Sequence, residues 1–141
     1  TIDGSNMPNI DPELELAFRQ TVYWIDTSPS IQLRLGKENP ELLTEKWVSG
    51  AFMTAYNPKA MQVSDAANEQ AHQALMRALQ TSGFRFCKAW TEDPSGEWPR
   101  EDGVFIWEIS SQEAQAWGRQ WDQAAVVWVD ETSRADLLWI T

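Results

Sequence analysis

The chain has 141 residues, 43% of them hydrophobic, and a formal net charge of −10. That is the length of one compact domain, with enough apolar residues for a real core. The charge repels phosphate backbones and anionic lipid heads, and the 11 Lys and Arg are scattered, so neither direct nucleic-acid binding nor membrane binding is expected.

Residues 1–10 are polar and rich in turn formers, which predicts a flexible N-terminal segment before a single globular domain over 11–141. In DPELELAFRQ, Asp11 is placed to cap a short helix, Pro12 takes its first position, and Leu14 and Phe18 share a face. TVYWID (21–26) reads as a strand. After the turn at 27–30, IQLRLG alternates apolar and polar residues and completes a hairpin. Asn39 and Pro40 repeat the cap-and-proline arrangement, which predicts a second short helix offering Leu42, Leu43 and Trp47 for burial.

GAFMTAY (50–56) is a nearly continuous apolar strand, as a central strand covered on both faces would be. The longest helix is expected over Asp65 to Ser82, capped by Ser64 and ended by Gly83, with an apolar stripe of Ala67, Ala71, Ala74, Leu75, Ala78 and Leu79. FRFCKAW and GVFIWEIS are strands flanking a loop with a turn at Asp93-Pro94-Ser95-Gly96. Ser110 and Glu113 form a capping box for a helix that buries Ala114, Trp117 and Trp121. AAVVWVD and DLLWIT are the last strands, joined by a polar turn. This order predicts an α/β (α+β) layered sandwich with a mixed sheet of five to seven strands flanked by three to four helices.

No dinucleotide fingerprint, phosphate loop, metalloprotease motif or nucleophile elbow is present. The lone Cys87 excludes an intrachain disulfide, and with one histidine there is no support for a metal site or for a cofactor. No apolar run approaches a membrane span and no leader pattern is visible, so a cytoplasmic setting is the expectation. His72 falls on the border of the long helix's apolar stripe, where a surface role and a general-base role both remain open. The acidic loop EDPSGEWPRED supplies Glu97 and Glu101 as further acid–base candidates, against the simpler reading of a solvated loop. Trp98-Pro99 is expected to anchor that loop.

Asn57 ends the central strand, where α/β proteins often bind ligands. Its local reading is that of a residue forced extended by Pro58, with a side chain bonding the backbone two residues on. Asn68 lies one turn before His72 and inside the apolar sector, so its amide needs partners. It either caps the preceding loop or lines a pocket with Asn57.

TAYNP, Ser64 with Asn68, DPSGEWP, VFIWEIS and Gln123 before AVVW together resemble the bacterial family of domain of unknown function 3293, over roughly residues 21 to 141. The family pattern has Asn-Pro, a helical Asn, Trp-Pro and Gln-Asn, matched here by Asn57-Pro58, Asn68, Trp98-Pro99 and Gln123; the last Asn is replaced by Ala124. The resemblance implies a small cytoplasmic bacterial protein, adds no reaction, and implies that Asn57, Asn68 and Gln123 converge. The leading expectation is a non-catalytic binding or regulatory domain whose ligand-binding residues are Asn57, Asn68, Trp98 and Gln123. Its partner would be a small polar ligand or a protein. An enzyme acting on a nucleotide or nucleic acid through His72, Glu97 or Glu101 is the second reading. An acidic inhibitor that mimics nucleic acid is the third.

Overall fold

The computed structural model describes residues 11–45 and 49–141, so the expected flexible segment 1–10 and Trp47 lie outside the described residues. The chain runs through α1 (Pro12–Gln20), β1 (Val22–Ile25), β2 (Ile31–Leu33) and β3 (Lys37–Glu38), then a 3-10 turn at Pro40–Glu45. It continues through β4 (Gly50–Met53), α2 (Asp65–Ser82), β5 (Phe86–Glu92), β6 (Asp102–Trp107), α3 (Ser111–Gln120), β7 (Ala125–Val129) and β8 (Arg134–Trp139).

The α+β class is as expected, but the sheet is not mixed. It has eight strands in the order β2-β1-β5-β6-β4-β7-β8-β3, and every neighbouring pair of strands is antiparallel. The physical reason is insertion. The connections through α2 and α3 do join strands of like direction, β4 to β5 and β6 to β7. A third strand enters each gap, β6 in the first and β4 in the second, so no parallel pair is ever adjacent. The extra strand is β3, two residues long, between IQLRLG and Asn39, where the sequence suggests no element.

The sheet must also curl. β2 and β3 lie on opposite edges yet are joined by residues 34–36 alone. Flat, eight strands would hold their edges about 34 Å apart, whereas that connection reaches only about 14 Å when extended. The edges meet through Gly36, whose N–H donates to Ala135 O at 2.7 Å. Asn39 fastens the seam. It is fully buried; its Oδ1 accepts from Arg34 N–H at 2.8 Å, and its Nδ2 donates to Arg34 O, Lys37 O and Ser133 O. The sequence suggests an exposed helix cap at this position; the structure makes it an internal latch, followed by a 3-10 turn rather than an α-helix.

Alternation then sorts the core into two layers. Tyr23, Ile25, Ile31, Leu33, Phe52, Phe105, Val127 and Val129 fill the inside of the curl, with Leu42 from the 3-10 turn. Ala51, Met53, Val104, Ile106 and Val126 face outward against Leu75 and Leu79 of α2 and Ala114 of α3. β4 is therefore covered on both faces, as its continuous apolar run requires. The caps at Asp11, Ser64 and Ser110 and the left-handed Gly83 end the helices as their sequences predict.

The buried line of α2 is Asn68, His72, Leu75 and Leu79, with Ala67 exposed. The helix is turned so that its two polar residues go inward. Its alanines contribute less volume to the interface than the stripe suggests. α1 closes one end of the curl. Phe18 meets Trp139 edge-on at 5.6 Å, Arg19 pairs with Asp136 at 3.2 Å, and Tyr23 Oη donates to Phe18 O at 2.7 Å.

Candidate functional site: the end of the curl beneath α1

β4 stops at Met53, three residues before the predicted end. Thr54 takes over the pairing with its side chain: its hydroxyl donates to Asp102 O at 2.7 Å and accepts from Tyr56 N–H at 3.0 Å. The chain then enters a strained turn. Asn57, Lys59 and Ala60 all have left-handed backbones, with φ near 49°, 58° and 58°. For residues with a Cβ this costs about 1–2 kcal/mol each. The expectation that Pro58 holds Asn57 extended fails because tertiary hydrogen bonds outweigh the local preference.

Those bonds come from three directions. Asn57 N–H donates to Asn68 Oδ1 at 2.8 Å, and Asn68 Nδ2 donates back to Asn57 Oδ1 at 3.0 Å. Val63 N–H, six residues on, also donates to Asn57 Oδ1, at 3.2 Å. Lys59 N–H donates to Asp122 O at 2.6 Å, and Asp122 is itself left-handed. Gln123, next in sequence, donates from Nε2 to Tyr56 O and to Trp121 O, both at 3.2 Å. The three carboxamides thus meet at the end of β4. Asn68 is 95% buried behind the turn and positions Asn57, while Asn57 and Gln123 reach a cavity.

The cavity holds about 180 Å³ at the α1 end of the curl, between Phe18, Tyr23, Phe52, Thr91, Val127 and Trp98. Glu101 also lines it, immediately before β6. Asn57 Nδ2 donates to Glu101 Oε2 at 2.9 Å, and Glu101 Oε1 accepts no bond among the described residues. Burial pushes the Glu101 carboxyl above its ordinary range, opposed by the bond from Asn57. Burial and the neighbouring Glu101 charge likewise raise the Tyr23 hydroxyl. Trp98 stands at the mouth, 59% exposed, on a loop held by Asp93, whose carboxylate accepts from Ser95 and from Trp98 N–H and stays below the usual range.

The other acid–base candidates lie elsewhere. Glu97 is exposed and does not line the cavity. His72, placed by sequence at a surface border, is 94% buried, touches the Tyr56 ring edge-on at 6.2 Å, and lines a separate outer cavity with Glu69, Trp90 and Arg100. Among the described residues no cluster of three His, Cys, Asp or Glu side chains is arranged to hold a metal ion, and no helix is long and apolar enough to cross a membrane. The aromatic walls Phe18, Tyr23 and Phe52 carry no sequence signal separating them from ordinary core residues. They become cavity walls only because β1, β5, β6, β4 and β7 are neighbours in that order.

A family model described as protein of unknown function (DUF3293) matches residues 53–126, more than half of the chain. The chain belongs to this family. The DUF3293 match begins at the last residue of β4 and ends within β7, so it contains Asn57, Asn68, Trp98, Glu101 and Gln123 but not α1 or β1. It is shorter than the 21–141 span that the sequence motifs suggest. Ala124, where the family pattern suggests a second amide, lines the cavity beside Gln123. No curated protein and no solved structure matches the chain.

Proposed function

We propose that the chain is a small-molecule binding domain whose ligand enters the curl beneath α1 and is recognised by Glu101. The observation that carries this is the Glu101 carboxyl itself: one oxygen is held by Asn57, and the other accepts no bond in a largely apolar cavity. Leaving a partly buried carboxyl half-satisfied costs stability, and a ligand that donates to it offsets that cost. The left-handed turn at 57–60 supports the same reading, because backbone strain of this kind collects where a fold pre-organises a site. In this reading Asn57 and Gln123 are amide contacts, Asn68 is the support behind Asn57, and Trp98 covers the mouth. The single cysteine supports a reduced, cytoplasmic setting for this bacterial family.

A thermal-shift screen of small donors tests the proposal on wild type and on Glu101→Gln, which keeps an acceptor for Asn57. A true ligand raises the wild-type Tm, by about 2.7 kcal/mol of added stability at a hundredfold excess over Kd, and shifts the variant far less. Hits that stabilise both proteins equally would remove Glu101 from the site.

One observation favours a second reading, an enzyme that uses Glu101 for proton transfer. A carboxyl raised by burial and fixed by a neutral amide is placed to accept and to give a proton. Prolonged incubation of a screening hit with wild type and Glu101→Gln, followed by mass spectrometry, separates the two. Conversion by wild type alone makes the domain an enzyme, and an unchanged compound leaves it a binder.

A further inference from the structure

The charge and wall chemistry of the cavity narrow its ligand class, an inference that rests on the binding reading above. The aromatic residues Phe18, Tyr23, Phe52 and Trp98 line it, and Tyr56 borders it with its ring turned to His72. Three acidic residues line it, Glu92, Asp93 and Glu101, and among the described residues no Lys, Arg or His does. The two outer acids are already engaged. Glu92 Oε1 accepts from Trp24 Nε1 at 2.7 Å, and Asp93 is committed to Ser95 and Trp98. Glu92 Oε2 also accepts no bond among the described residues but belongs to an exposed residue, so Glu101 is the sheltered carboxyl with an oxygen to give.

The outer cavity makes the contrast. It mixes Asp26, Glu69 and Asp102 with Lys88 and Arg100 and so has no single sign. Arg100, next to Glu101 in sequence, does not turn into the aromatic cavity; it lies 4.8 Å from the Trp90 ring and pairs with Asp102 at 3.4 Å.

Aromatic walls with one carboxylate oxygen open to the cavity and, among the described residues, no positive side chain attract a positive charge twice. The ring faces attract it through their quadrupoles, and the carboxylate through direct pairing. The same site repels anions. A bare metal ion needs several oxygen ligands, and no three metal-binding side chains come together among the described residues. An alkylammonium group needs only one counter-charge and apolar walls. We infer that the pocket beneath α1 takes a small organic cation, its ammonium head beside Glu101 and its alkyl or aryl body against Phe18, Phe52 and Trp98.

Matched probes that differ mainly in charge test this by isothermal titration near neutral pH: choline against neohexanol, its uncharged carbon isostere, and phenethylammonium against phenethyl alcohol, with tert-butylacetate as the anion. At least one cation should bind wild type tenfold or more tightly than its neutral partner, with the anion undetected. In Glu101→Gln that preference should vanish. In Trp98→Ala, at an exposed position, both cations should weaken while the fold is kept. Because the probes are compared on wild type, a variant that fails to fold does not obscure the answer. Equal binding of the alcohols and the cations overturns the charge assignment and leaves the small-molecule pocket standing. Binding by the anion alone also overturns the assignment. If no probe binds wild type at all, the cation inference and the binding reading fall together.

Discussion

At Glu101 solvation and function pull in opposite directions. Burial raises its carboxyl above the ordinary value of 4.5, so the folded state holds the proton more tightly than the unfolded chain does. The sign follows from linkage: this group's stabilising contribution is complete below the unfolded value and is lost as pH rises through the folded one. Near neutrality wild type therefore carries a penalty that Glu101→Gln lacks. Urea denaturation over a pH series should show the variant more stable at neutral pH, unfolding at a higher midpoint. That advantage should shrink as pH falls through the raised folded value and be gone below 4.5. A difference independent of pH would mean that the carboxyl is not desolvated in solution. Tyr23, whose hydroxyl is raised by burial and by Glu101, stays uncharged across this pH range in both proteins. Glu101 thus follows the usual trade between a strained site and global stability. Of the acid–base candidates visible in the sequence, Glu101 is the one the fold brings to the amides. Its neighbour in the acidic loop, Glu97, stays in solvent, and nothing in EDPSGEWPRED distinguishes the two before β6 is paired.

Among the elements, β4 and β6 approach so closely that one position excludes any side chain. A Cβ on Gly103 would sit 2.6 Å from Met53 O and 3.2 Å from Phe52 Cζ. Backbone oxygen cannot step aside, so Gly103→Ala should cost about 1–3 kcal/mol through overpacking. Gly118 in α3 makes an instructive control. Its Cβ would meet only side-chain atoms, nearest of them Cδ1 and Cγ1 of Ile140, which can change rotamer, and alanine gains about 1 kcal/mol of helix propensity. Gly118→Ala should therefore be much closer to neutral, and a chemical-denaturation pair with the two costs reversed would refute the close β4–β6 contact. The helices were readable one by one because their signals are local. The Ser64 hydroxyl accepts from Ala67 N–H, and Ser110 and Glu113 exchange bonds across a single turn. The face that α2 buries was not readable in the same way. Asn68 and His72 look like the polar flank of an alanine stripe until Asn57 arrives to pair with one of them and Tyr56 to cover the other.

For the molecule as a whole, the decisive joint is the seam between β2 and β3, where eight antiparallel strands curl far enough for their edges to touch. Removing the Asn39 side chain leaves Arg34 N–H without its acceptor and takes a donor from the carbonyls of Arg34, Lys37 and Ser133, the last of which keeps the Asn39 backbone N–H. Asn39→Ala should therefore cost about 3 kcal/mol. It should also speed amide exchange at Gly36 and along β8. Asn39 works at the end of the curl where β8 begins, whereas the cavity lies where β8 ends, so ligand affinity of the folded variant should be unchanged. A variant with normal stability would show that the seam is held by packing of Ile31, Leu33 and Ala135 alone.

Sequence alone determined the local grammar: the caps of the three α-helices, a covered strand beginning at Gly50, the α+β class, the family, and the short set of polar residues worth watching. Each of these depends on side chains within a few positions of one another, or on the periodicity that burial imposes. The strand order, the antiparallel pairing and the curl depend instead on which distant segments find each other. That choice is made by the summed packing of both sheet faces, and no single stretch encodes it. The tertiary structure decided that Asn57, Asn68 and Gln123 meet, that Glu101 joins them, and that Tyr23 and Phe52 become walls of a cavity. Those contacts form across 11 to 67 positions of sequence, between groups whose individual preferences, as at Asn57, point the other way.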